Sequence, residues 1–244
     1  MRRFRRIPRL LACVGLLLTM GIFWPVHQLL NLTRHGDPYN ADKVACQAQP
    51  ALQAQLAAIG KAFLTALDKS NVTAFLCYGS LWAYLRKGGF FPWDRTIRLC
   101  ALSPSPLDSD AGVEALRAEL ARDSLRLAYD RMEGLYSLRP ERYGQRVSSL
   151  AEPIPEAFLF LFAYSHALRT NGQHENVYRR MGWRHKVLPP GSEALQEFPV
   201  RLVAPPLRSL TFSGMEVKVP HEEAEMQKYH YKEDWWSEVR PPGC

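Results

Sequence analysis

The stretch CYGSLWAYLRKGGFFPWDRTIRLC, residues 77–100, gathers residue types that could handle phosphate and metal. A glycine such as Gly79 lets backbone N–H groups approach an anion closely, and the neighbouring Ser80 hydroxyl adds a donor. A helix starting there would aim its positive end at the phosphate. Arg86 and Arg98 are candidate phosphate ligands, since a guanidinium can grip phosphate with two parallel hydrogen bonds. Asp94 is the one acid of the stretch. Metal-assisted phosphoryl chemistry needs several oxygen ligands close together, and a strand supplies them at every second position. Two and four residues after Asp94, however, stand Thr96 and Arg98. A neutral hydroxyl is a poor metal ligand, and a guanidinium repels the ion.

The surrounding sequence predicts the elements that position these groups. From Ala51, apolar residues recur at three- and four-residue steps (Leu52, Leu56, Ile59, Phe63, Leu64, Leu67), which gives a one-faced helix ended by Ser70-Asn71. Residues 72–78 are β-prone, and Gly79-Ser80 reads as a turn before a helix-compatible stretch at 81–86. Lys87-Gly88-Gly89 turns the chain. A second strand over 95–101 puts Thr96 and Arg98 on one face and Ile97 and Leu99 on the other. Residues 113–132 read as one helix through Val113, Leu116, Leu120, Leu127 and Met132. AFLFLFAY, within 153–164, reads as a buried strand, and the Pro-punctuated segment 182–219 reads as short strands and turns. Together they predict an α/β (mixed α+β) domain: a small mixed sheet flanked by helices.

The start of the chain has a different character. Five arginines within 1–9 precede an uncharged apolar run at 10–26, near the lower end of the roughly 17–25 residues that span a bilayer. No small-x-small cleavage site follows, so the run reads as an uncleaved signal-anchor rather than a signal peptide. The arginines are expected to stay cytosolic, which makes the rest lumenal in a type II membrane protein. The expected organisation is a cytoplasmic tail (1–9), a transmembrane helix (10–26), a lumenal stem (27–50) and one domain (51–244). Without the tail arginines the formal charge of +7 falls to +2, which argues against a nucleic-acid partner. Asn31-Leu32-Thr33 and Asn71-Val72-Thr73 are glycosylation sequons, the first being close to the membrane. Cys13 falls in the span, and Cys46, Cys77, Cys100 and Cys244 are lumenal disulfide candidates with three full pairings open. None has zinc-site spacing.

With these residues in view, YGSLWAYLRKGGFFPWD resembles the signature of the LicD and fukutin-type nucleotidyltransferase family. There a Gly-Ser or Gly-Thr turn, a short helix with Arg, a Gly turn and Pro-Trp-Asp lead into an acidic strand. FSGMEVKVPHEEAEMQKYHYKEDWWSEVRPP is similar to the family's closing segment, so the resemblance brackets the chain from about Ala51 to Pro242. It implies a nucleotidyltransferase-like fold, with the turn on nucleotide phosphates and the acidic strand on divalent metal. Family members transfer phosphocholine or phosphoribitol from a cytidine-diphosphate donor to a glycan. Animal relatives are Golgi proteins acting on the O-mannosyl glycan of dystroglycan.

Against that pattern, Asp94 matches the first acid, while Thr96 and Arg98 replace the next two. Phe158 stands at the best counterpart of a further acid on a later strand. Three readings follow. The leading one is a noncatalytic relative in the Golgi or endoplasmic reticulum membrane, with no cofactor, supporting protein O-mannosyl glycosylation or glycan phosphorylation. Its partners would be a glycan or glycoprotein acceptor or an active family member. The second is an active transferase of the CDP-ribitol type, with Asp94 catalytic, Arg98 supplying positive charge and Mg²⁺ or Mn²⁺ as cofactor. The third is an unrelated lumenal scaffold. Asp108 and Asp110 read as solvated loop acids, His221-Glu222-Glu223 as an acidic first helical turn after Pro220, and Trp235 and Trp236 as anchors of the closing segment. No Gly-x-Ser-x-Gly elbow, P-loop or zinc-protease motif is present, which argues against hydrolase and ATPase chemistry.

Overall fold

The apolar spacing after Pro50 becomes helix α1 (Pro50–Lys69), which buries Leu52, Leu56, Ile59, Phe63 and Leu67 on one side. Each fully buried Leu or Phe contributes roughly 1.5–3 kcal/mol, so this stripe alone commits the helix to the sheet beneath it. A Cβ on Gly60 would lie 3.0 Å from Ile97 Cδ1 and 2.7 Å from Met215 Sδ, so the helix backbone rides directly on the sheet. The computed structural model describes residues 50–141, 154–168, 171–187, 196–232 and 235–237, all within the unit Val44–Arg240. The expected tail, the span at 10–26, the stem up to residue 49, Cys13, Asn31, Cys46 and Cys244 lie outside those residues. Among the described residues, no helix is long and apolar enough to cross a membrane.

The remaining elements follow in chain order. They are β1 (Ala74–Leu76), α2 (Tyr78–Lys87), β2 (Thr96–Leu102), α3 (Asp110–Ala121), β3 (Leu125–Asp130), β4 (Leu135–Pro140) and β5 (Glu156–Leu168). Then come β6 (His174–Arg180), the short α4 (Trp183–Val187), β7 (Glu197–Pro199), the hairpin β8 (Arg208–Phe212) and β9 (Met215–Val219), and α5 (Glu223–His230). The expected mixed α/β architecture is what forms. A seven-stranded sheet runs β1-β2-β5-β4-β3, with β6 on β5 and β7 on β6; β2 and β5 are parallel and the other pairings antiparallel. Leu161 shows how β5 serves two partners along one edge: its N–H donates to Gly134 O and its carbonyl accepts from Met181 N–H. The near-continuous apolar run of β5 suits this central place, where strands are covered on both faces.

Two expectations need correction. The helix read over 113–132 is a helix followed by a strand: Ser109 caps α3 by accepting from Gly112 N–H, and α3 stops at Ala121. Ser124 then takes a left-handed backbone (φ 54°), which a helix cannot contain, and Leu125 and Leu127 alternate inward along β3. Leu116 and Leu120 keep a true helical period within α3, and Leu127 continues it only by coincidence of spacing. The second correction concerns Gly79-Ser80, which lie in the first turn of α2 rather than in a turn before it. The break falls one residue earlier, at Tyr78 with φ 50°.

Candidate functional site

The seam between β2 and β5 fixes the geometry of the site. In its parallel register, Thr96 pairs with Glu156 and Arg98 with Phe158. Registered neighbours share a face, so these four side chains lie on the side of the sheet opposite Ile97, Leu99 and α1. On that side, Tyr78 at the start of α2 stands edge-on to Phe160 at 4.9 Å. The counterpart proposed for a lost acid, Phe158, is thus the strand neighbour of Arg98.

The first turn of α2 is tied to the seam at three points. Ser80 Oγ accepts from Arg98 N–H at 2.8 Å. Cys77 N–H donates to Arg98 O at 3.2 Å. Cys77 and Cys100 form a disulfide across a sequence separation of 23 residues, which chooses one pair among those the sequence left open. Closing a loop of that size stabilises a fold by about 3 kcal/mol in the chain-entropy account. Gly79, Ser80 and Arg98 are therefore brought together, with Asp94 in the field of Arg98, and all four are buried.

Arg86 is not brought with them. It lies in the last turn of α2, exposed, and donates to Trp235 O at 2.5 Å, so it holds the closing segment. Gly88 ends that helix with a left-handed backbone, φ 70°, and its N–H donates to Tyr84 O. Asn71 is exposed at the turn between α1 and β1.

Asp94 is held inward, accepting from Phe91 N–H through Oδ2 at 2.8 Å. Burial pushes its carboxyl up to about 6, while the Phe91 N–H, Arg98 and Lys87 pull it down less strongly. The stack of Phe91 on Trp93, ring centroids 5.0 Å apart, and the Trp82–Phe91 contact at 5.0 Å wall off this corner.

Several residues that shape the site carry no local sequence signal. Glu156 reaches it only through the strand register; its carboxylate bonds Arg139 Nε at 2.6 Å, and burial raises its pKa against that partner. Two-residue spacing to Phe158 is the one sequence clue that could have found it. From α5, Gln227 Nε2 donates to the carbonyl of Tyr78 at 3.1 Å. His230 lies 5.1 Å from the Tyr78 ring, and burial pushes its imidazole down to about 3. Both contacts brace the strained residue that starts α2.

A Mg²⁺ or Mn²⁺ ion does not fit this donor set. Hard cations take six or more oxygen ligands, mainly carboxylates, carbonyls and waters. Here the seam offers Thr96, a guanidinium and a phenyl ring, Asp94 is turned onto a backbone N–H, and Glu156 is ion-paired. Among the described residues, no three His, Cys, Asp or Glu side chains come together as a metal-binding group.

The sequence model of the LicD/FKTN/FKRP nucleotidyltransferase domain matches residues 71–222, more than half of the chain. The chain belongs to the LicD family. This removes the reading of an unrelated scaffold, and the matched span contains the whole β2–β5 seam. No curated protein matches the chain. The match includes Gly79-Ser80 and Pro92-Trp93-Asp94, after which this chain has Thr96 and Arg98.

Proposed function

We propose that this LicD-family chain is a noncatalytic, membrane-anchored protein of the Golgi or endoplasmic reticulum. It supports protein O-mannosyl glycosylation or glycan phosphorylation by binding an acceptor glycan, a glycoprotein or an active relative. The observation that carries this reading is the register pairing of Arg98 with Phe158, at positions where metal-dependent transfer needs carboxylates. The lumenal assignment rests on the arginine-flanked apolar run at 10–26 and is supported by the Cys77–Cys100 disulfide, since such bonds persist in oxidising compartments.

A second reading, direct transfer from a CDP-linked donor, is favoured by one feature. Asp94, pushed up to about 6, lies in the range suited to proton transfer near neutral pH, beside an arginine able to grip phosphate. Calorimetry of the detergent-solubilised full chain with CDP-ribitol, with and without Mg²⁺ or Mn²⁺, separates the two. The noncatalytic reading expects no metal-dependent binding and no transfer to glycan. Metal-dependent binding overturns it. Metal-independent binding lost in Arg98→Ala would establish Arg98 as a phosphate clamp and put transfer first.

A further inference from the structure

We propose that Asn71 carries an N-linked glycan whose first sugar lies in the groove beside it, an inference that rests on the lumenal placement argued above. Asn-Val-Thr is an acceptor triplet by sequence, but many such triplets are buried or held within secondary structure. This one is presented. Asn71 and Thr73 are exposed, and Val72 between them is buried, so the two acceptor residues project from a backbone pinned from within. The pinning is direct: Asn71 N–H donates to Asp68 O at 2.9 Å and Val72 N–H to Leu67 O at 2.8 Å, which closes the end of α1. No hydrogen bond or ion pair occupies the Asn71 amide among the described residues.

A structural account of Asn71 also exists. Its φ of 56° is a left-handed conformation that asparagine tolerates better than most residues. That account explains the asparagine and leaves unexplained both Thr73 and the groove. A groove of about 430 Å³ opens against the sequon, lined by Asn71, Thr73, Phe75, Pro104, Pro205 and Leu207. Its volume falls in the roughly 300–1,000 Å³ range of small-ligand sites. The Pro104 and Pro205 rings and the Leu207 side chain suit the C–H face of a pyranose, while the sugar hydroxyls stay in water. The amide side chain reaches from the rim, so an attached N-acetylglucosamine can fold down without unfolding anything.

The test uses the full chain expressed in mammalian secretory cells and treated with PNGase F. A mobility shift of one glycan is expected in the wild type, in N31Q and in Thr73→Ser, and is lost in N71Q and Thr73→Ala. Thr73→Ala keeps Asn71 in its left-handed turn, so a lost shift there reports the sequon and not a folding defect. Protease protection of the domain in microsomes is read in parallel. A protected chain without the shift overturns the Asn71 assignment alone; an unprotected chain without it overturns the assignment together with the lumenal placement. For the groove, chain from cells restricted to high-mannose glycans and trimmed by endoglycosidase H to one N-acetylglucosamine is compared with chain made under tunicamycin, which keeps the free Asn71 amide. The trimmed form is expected to melt about 2 °C higher, and equal melting overturns the seating of the sugar.

Discussion

Asp94 and Glu133 are carboxylates near arginines in the same domain, yet their environments drive them in opposite directions. Glu133, between β3 and β4, takes Arg184 Nη1 at 3.0 Å, Arg180 Nη2 at 3.3 Å and His185 Nε2 at 3.5 Å. The bond from His185 leads in holding its pKa down to about 2, with burial opposing and Arg180 and Arg184 adding to the depression. Asp94 has an arginine in its field too, but burial dominates and carries it up to about 6. The difference is direct contact with His185, Arg180 and Arg184 in one case and a backbone N–H in the other. One corner is built as an ion cluster that joins β6 and α4 to the β3–β4 turn. The other holds a single buried acid, with Thr96, Arg98 and Phe158 on the strand face that follows it.

The largest expected effect lies at the ion cluster. Glu133→Ala leaves three basic side chains facing one another, Arg180 only 9% exposed. Removing one partner of a buried pair costs about 3–5 kcal/mol, and the partial exposure of Glu133 places this case near about 3 kcal/mol. A fall in Tm of roughly 6–12 °C follows for a domain of this size. Because the folded pKa is depressed, the contribution is complete above the ordinary carboxylate value and disappears as pH falls through about 2. Glu133→Gln should therefore differ from wild type at pH 6 and converge with it in strong acid. A difference that persisted at low pH would count against the charge cluster.

Asp94→Asn should act with the opposite sign. A carboxyl raised to about 6 in the fold binds protons more tightly than in the unfolded chain, so its stability contribution falls as pH rises from 3.8 to about 6. Above that window the buried charge costs about 3 kcal/mol. Asp94→Asn is thus expected to melt higher than wild type at pH 7.5 and to match it near pH 4. His230, pushed down by burial, gives a slope of the other sign in an overlapping window, so only the variant-minus-wild-type difference isolates Asp94. If Asp94→Asn is less stable at pH 7.5, the carboxylate is better compensated than burial implies.

These residues also show what the sequence could and could not convey. Ser80, Asp94 and Arg98 were legible because the chemistry of one short segment survives as contact in the fold. The α1 stripe and the β5 run were legible because burial imposes periodicity. The strand β3 was not, since Leu125 and Leu127 continue the apolar spacing of α3 and only the Asp123-Ser124 break distinguishes them. Glu156, Tyr78, Gln227 and His230 join the site through register and tertiary packing, which leave no mark on local spacing. Glu133 was invisible for the same reason: its three partners follow some fifty residues later.

A gain-of-function variant sharpens the comparison from the other side. The combined substitution T96D/R98D returns carboxylates to the two period-two positions after Asp94. A weak oxygen site binds in the roughly 0.1–1 mM range, so a few millimolar Mn²⁺ should stabilise the variant by about 1 kcal/mol and leave wild type unmoved. The difference in Tm with and without Mn²⁺ is the readout, which cancels any cost of the substitutions themselves. A folded variant indifferent to Mn²⁺ would mean that the β2–β5 seam is not where the family holds its ion.

The smallest effect belongs to Arg86, whose spacing from Gly79 suggests a phosphate ligand and whose position in the fold suggests a tether. An exposed side chain bonded to one backbone carbonyl contributes at the low end of the usual range, about 0.5 kcal/mol, so Arg86→Ala should shift Tm by no more than about 2 °C. The tether reading expects faster hydrogen exchange at Trp235 and Trp236 with the β2–β5 seam unchanged. A phosphate-ligand reading expects the reverse, with exchange at the closing segment unaffected and any binding of CDP-ribitol weakened. The two readings differ because the first turn of α2 faces the seam and its last turn does not. A single ten-residue helix therefore separates what the family motif holds together in sequence.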